Sequence, residues 1–273
     1  MKDLGKRLPT TVVLIVFAYA AIRFLPVPWF AALLYLLASL AAWELLRLTR
    51  PSRHVWPLAF SNGLLIALAF IVPWFGMGLA LVGCLLADGL YFLLTTSSKE
   101  RLASFARDWG ILALTVLYIY FPLFFMLELK KMGPNYLFFM ILVIAIGDSG
   151  AYFVGSAIGK HKIYPIASPN KTLEGLVAAV LTAGLSGWLS ILLFPIPTTA
   201  VLAGPSIFTA VLTGTLIGLF SQLSDPVESL FKRAAGQKDS GSLLPGHGGV
   251  LDRVDSYIFC APLLYFVALY FWN

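Results

Sequence analysis

Apolar runs of about twenty residues recur along this chain from end to end, and each is long enough to cross ~30 Å of hydrocarbon as a helix. A chain built this way does not fold around a soluble core. Within a bilayer every backbone N–H and C=O must be satisfied by the protein itself, which leaves helices or a closed barrel. The apolar/polar alternation of barrel strands is not visible. The runs fall at about 8–25, 27–46, 55–73, 75–95, 108–128, 135–158, 173–194, 206–224 and 254–272. They predict an all-α, polytopic integral membrane protein with about nine transmembrane helices. Composition agrees, since 12% of the 273 residues are charged, about half the share of a soluble domain. The chain reads as one membrane domain over 1–273, with motif-free helices over 1–130 and the chemistry over 135–273.

The cations set an orientation. Loops are assigned alternately, beginning with the N-terminus inside. That places 16 of the 19 Lys and Arg on the cytoplasmic side and leaves Arg23, Lys130 and Lys131 outside. This bias predicts a cytoplasmic N-terminus and an external C-terminus. It also accounts for the net charge of +6, which therefore does not point to a nucleic-acid partner. The low-charge stretch 195–205 reads as an external loop. Ala18-Tyr19-Ala20 resembles a signal-peptide cleavage site, but the apolar run continues past it, so the first span is read as retained. Cys84 and Cys260 lie inside apolar runs as small buried hydrophobes and suggest neither a disulfide nor a metal site.

Against this background the stretch from Asp225 to Ser256 stands out. It holds Asp225, Glu228, Asp239, Asp252 and Asp255, the cations Lys232, Arg233, Lys238 and Arg253, and His247. Loops between membrane helices collect charge for topology alone, but five glycines and Pro245 also break this one. Carboxylates gather hard cations, cations gather phosphates, and glycines let backbone N–H groups approach an anion. If the eighth span continues as a helix, Asp225, Glu228 and Lys232 share one face at i, i+3 and i+7. Asp252 and Asp255 are i, i+3 at the start of the ninth span. A Gly-rich link could fold back and join the two carboxylate sets around Mg²⁺.

An acid inside a span costs on the order of 3 kcal/mol on insertion scales, so it should face a cavity or a partner. Asp148 is such an acid. The small residues around it (Gly147, Gly150, Ala151, Gly155, Gly159) read as close helix packing, which leaves the aspartate unexplained. Downstream, Lys160, His161, Lys162 and Lys171 form a basic cluster, with Thr172 and Glu174 placed to cap the next helix. Lys171, nearest the helix N-terminus, is the lysine best placed for an anion. Glu44 sits near a cytoplasmic helix end within reach of Arg47, and Asp88 lies mid-span. The sequence assigns neither a role.

From Ser229 to Asp255 the chain reads S-L-F-K-R-x4-K-D-x-G-x2-L-P-x-H-G-G-V-x-D-R-V-D. This resembles the signature of phosphatidate cytidylyltransferases (CDP-diacylglycerol synthases). The blocks GDSGAYFVGSAIGKHK and SPNKTLEG are similar to that family's other recurring segments. The resemblance implies transfer of a cytidylyl group from CTP to phosphatidic acid by a multi-pass protein of the inner (cytoplasmic) membrane. Mg²⁺ is the implied cofactor. A second, monovalent cation and a homodimer are left open. On this reading Asp225 and Asp252 hold the metal with Glu228, Asp255 and Asp148 in support. Lys171, Lys232, Arg233, Lys238, His247 and Arg253 bind phosphates, and Ser229, Gly248 and Gly249 line the substrate site. The D-G-x2-A-R-x8-G-x3-D-x3-D pattern of CDP-alcohol phosphotransferases is absent. So are the internal repeats expected of a transporter.

Overall fold

The computed structural model describes residues 4–53, 55–71, 74–196, 205–243 and 248–272. Its helices are α1 (Leu4–Phe24), α2 (Val27–Thr49), α3 (Val55–Ile71), α4 (Trp74–Thr95), α5 (Lys99–Thr115), α6 (Phe121–Met132), α7 (Pro134–Ile158), α8 (Leu173–Leu193), α9 (Ile207–Ala234) and α10 (Leu251–Val267). A π-helical turn, Val116–Tyr120, joins α5 to α6 in one rod, and α10 continues to Trp272. The rods follow the expected order. Among the described residues seven are long and apolar enough to cross a membrane, while the apolar parts of α1 and α3 are shorter. Most of the external loop expected at 195–205 lies outside the described residues, as does His247.

Two boundaries differ from the sequence reading. The fifth rod begins at Lys99 rather than near 108, because Ser98 Oγ accepts from the Arg101 amide at 3.2 Å and starts a polar first turn. Helix α9 runs ten residues past 224, carrying Asp225, Glu228 and Lys232 into helical register. The basic segment before α8 is also more ordered than a loop. Lys162–Tyr164 (β1) pairs antiparallel with Ser168–Thr172 (β2). Thr172 then caps α8, its Oγ1 accepting from the Gly175 amide at 3.2 Å. Glu174 ties the hairpin down by accepting from the Lys160 amide at 3.1 Å and the His161 amide at 3.3 Å.

Small residues bring α7, α8 and α9 into backbone contact. A Cβ on Gly147 would lie 3.3 Å from Ala183, and one on Gly214 would meet the Ala183 carbonyl oxygen and Gly187 Cα. Close approach of this kind lets membrane helices gain dispersion energy where hydrophobic burial offers little. Large aromatics fill the other side of the bundle, where Phe124, Phe125, Tyr136, Phe139 and Trp272 are fully buried.

Gly214→Ala should therefore destabilise the protein by about 1–3 kcal/mol, the usual cost of overpacking, read as a lower unfolding temperature in detergent. Gly78, where an added methyl would meet only open space, should tolerate Ala with no loss. Equal behaviour of the two variants would refute the packing account.

Candidate active site

The C-terminal half of α7, the β1–β2 hairpin, the end of α9 and the start of α10 enclose a cavity of about 800 Å³. Its walls carry Asp148 from α7, Lys171 and Thr172 from the hairpin, Gln222, Asp225 and Lys232 from α9, and Asp252, Arg253 and Asp255 from α10. Volumes of this order accommodate drug-sized ligands.

One wall is organised by Pro226. Proline has no N–H, so within α9 the carbonyl of Gln222, four residues earlier, lacks its helical donor. Lys171 Nζ supplies one at 3.2 Å, reaches Gln222 Oε1 at 3.2 Å, and pairs with Asp225 Oδ2 at 3.0 Å. Gln222 Nε2 in turn donates to Asp148 Oδ1 at 2.7 Å. Asp148, Lys171 and Asp225 stand out separately in the sequence. The structure joins them through a glutamine that carries no signal there.

The opposite wall centres on Lys232, which is buried between two acids. Its ammonium contacts Glu228 one helical turn earlier and lies 2.7 Å from Asp252 Oδ1. The other Asp252 oxygen accepts from the Gly249 amide at 2.8 Å and from the Ser240 amide and hydroxyl, both at 2.9 Å. Gly248 has φ +78° and a Cβ there would lie 2.6 Å from Asp252 Oδ2. Glycine serves on both counts, conformation and space.

Asp225, Glu228 and Asp255 each offer a carboxylate oxygen, and these atoms lie within 4.8 Å of one another. Glu228 Oε1 has no hydrogen-bond partner among the described residues although it is buried. A buried carboxylate oxygen left without a donor is costly, and a hard cation with oxygen ligands would satisfy it. The set therefore fits Mg²⁺. Asp252 and Asp148, also expected as ligands, lie outside this set of three; Asp252 pairs with Lys232, and Asp148 accepts from Gln222.

A model of the cytidylyltransferase family matches residues 5–271. The chain belongs to that family. It is 34% identical over 250 residues to a phosphatidate cytidylyltransferase of Bacillus subtilis (strain 168), covering 89% of each chain. It is 35% identical over 238 residues to one from Staphylococcus epidermidis, covering 84% of this chain and 86% of that one.

The remaining expected residues of this cytidylyltransferase-family chain are scattered. Ser229 is buried and its Oγ lies 3.4 Å from Asp225 Oδ1. Arg233 donates to the Ala167 carbonyl at 3.4 Å, pinning the hairpin to α9. Lys238 is exposed and is not among the residues lining the cavity. Two further residues escape sequence reasoning. Tyr118, on the π-helical turn, packs with its ring centroid 5.7 Å from that of Phe231 at a tilt of 57° and lies within electrostatic reach of Glu228, Asp255 and Asp225. Glu44 reaches the site from α2. The π-helical turn, frequent at functional sites, leaves no mark in hydropathy, and Glu44 bonds to two backbone amides and to Ser240, a position the signature leaves unspecified.

Lys232→Met should cost about 3–5 kcal/mol of stability by stranding buried acids. Adding Glu228→Gln should recover part of the unfolding temperature in detergent. No loss in the single variant would show that Lys232 does not compensate those acids.

Proposed function

We propose that the cavity joins CTP to phosphatidic acid, giving CDP-diacylglycerol and pyrophosphate. The observation that carries the reading is the convergence of three sequence blocks, around Asp148, Lys171 and Asp225–Asp255, on one polar cavity at the ends of membrane helices. The names of the relatives point the same way.

The chemistry needs little proton transfer. A phosphate monoester has a second pKa of about 6, so the lipid phosphate is already a nucleophile near neutral pH. Its oxygen attacks the α-phosphorus of CTP. A P–O bond forms there, the bond to the β-phosphate oxygen breaks, and pyrophosphate leaves with the electron pair. Asp225, Glu228 and Asp255 would hold Mg²⁺, which supplies charge neutralisation on the phosphates. Lys171, Lys232 and Arg253 face the same space and orient the two anions. Carboxylate partners keep both ammonium groups placed before substrate arrives. The lipid reaches the site sideways from the bilayer. Tyr152 of α7 lines the cavity yet is 71% exposed on the helix surface, so that wall opens toward lipid.

Purified protein in detergent should form CDP-lipid from CTP and phosphatidic acid and lose that activity to a chelator. Lys171→Ala should lower the rate about 10²-fold, by analogy with deletion of one preorganised donor. Lys99→Ala, in an equally basic segment outside the cavity, should cost little. Equal small losses would return Lys171 to topology alone.

The basic helix ends around the cavity favour a cytoplasmic site. Ile166, on the hairpin turn, is 82% exposed, and both native cysteines are buried. An Ile166→Cys variant should react with an impermeant thiol reagent from the cytoplasmic face. Reaction from the external face alone would invert the topology.

A further inference from the structure

We infer that Glu44, in the half of the chain without motifs, is a positioning residue that sets where Asp252 and Lys232 stand. For its activity the inference rests on the function proposed above; for its geometry it does not.

Glu44 lies in α2 and is completely buried. Its carboxylate accepts from the Val250 amide at 3.0 Å, the Leu251 amide at 2.8 Å and the Ser240 hydroxyl at 2.7 Å. These amides open α10, whose own N-cap residue, Val250, offers no side-chain acceptor. Glu44 thus caps from another helix, and its charge complements the helix dipole.

The contact leads directly into the site. Ser240 Oγ lies between the two carboxylates, 2.7 Å from Glu44 Oε2 and 2.9 Å from Asp252 Oδ2, and its single proton is shared between them. Asp252 also takes the Gly249 amide and presents its other oxygen to Lys232. The turn from Gly249 to Asp252 is therefore fastened on one side by Glu44 and holds Lys232 on the other. Two glycines of the signature make room for the acid. A Cβ at Gly241 or at Gly249 would lie 2.5 Å from Glu44 Oε1. Arg47 does not hold Glu44 as its spacing suggested, because the Arg47 guanidinium lies over the Trp43 ring at 4.7 Å.

Burying a carboxylate is costly unless it is well hydrogen-bonded. Capping α10 alone could be done by a serine or aspartate within the loop. An acid delivered from α2 does more, since it ties the turn to the bundle and fixes its height against α9. Misplacement of a reacting group by about 1 Å can cost 10²-fold in rate.

The test uses the full chain in detergent and the Glu44→Gln variant, which keeps the volume but has one acceptor oxygen in place of two. Gly241→Ala, which crowds the same carboxylate without changing charge, is the second variant, and it decides alone if Glu44→Gln does not fold. Asp88→Asn is the control, a buried acid of the same half outside the cavity. Three quantities are read: hydrogen exchange at residues 249–251, acylation of Lys232 by an amine reagent, and kcat and KM for CTP. The expected result is exchange faster by on the order of tenfold, severalfold faster acylation of Lys232, and kcat lower by about 10- to 100-fold. KM for CTP should change far less, and Asp88→Asn should match wild type in all three. Unchanged exchange and acylation in a folded variant would overturn the inference whatever the activity. Faster exchange with wild-type kcat would overturn it too, by reducing Glu44 to a structural cap. Should the wild-type protein form no CDP-lipid, the proposed function fails, and exchange with Lys232 acylation decides the inference by itself.

Discussion

Lys232 is an ammonium group held between Glu228 and Asp252 with less than a tenth of its side chain exposed. In a chain this apolar, that ion triad governs what surrounds it. An unpaired charge at such a place costs several kcal/mol after relaxation, so α9 and α10 must meet with their charged turns in register. Helix α9 stays helical past Pro226, at the cost of one backbone hydrogen bond, and so carries Glu228 and Lys232 to the site. The glycine-rich link must return to deliver Asp252, and residues 248–249 must be small enough to let the carboxylate in.

The same economy explains why the cavity is acidic although its substrates are anions. Five acids and four cations line it, and Glu228 adds a sixth acid beside them. Within the apoprotein, Lys171 and Lys232 are matched by Asp225, Glu228 and Asp252, so neither ammonium is left bare in a low-dielectric wall. Phosphates entering the cavity can then exchange partners with the lysines, so that charge is passed between ion pairs and need not be desolvated anew.

How much of this was legible in the sequence differs by type of interaction. The spans could be read because hydropathy acts locally, and the acids of α9 because i, i+3 and i+7 spacing holds wherever the helix holds. Asp148 was visible as a charge in the wrong solvent. The hairpin was not, since Lys162–Tyr164 and Ser168–Thr172 are short, polar and interrupted by proline, with no alternation to detect. Gln222 was hidden because its importance comes from a carbonyl that Pro226 leaves without a donor. Lys238 is the opposite case: it lies within the motif, yet it is exposed and is not among the residues lining the cavity. Asp252 stood out as an acid of the signature, but its saturation by Ser240, Gly249 and Lys232 depends on a turn whose shape no spacing rule supplies.

The motif-free half acquires a purpose from the same physics. A polar cavity at the end of a membrane bundle needs walls that neither yield to lipid nor expose backbone groups to it. Helices α7, α8 and α9 supply stiffness through glycine contacts too close for any side chain. Those contacts do not hold the first turn of α10, which follows a glycine-rich link. That restraint comes from α2, whose Glu44 accepts two of the first amides of α10 about two hundred residues away in the chain. Fusing the motif helices alone would keep every signature residue but lose this fastening. The signature is best understood as half of a contact whose other half is a single acid on α2.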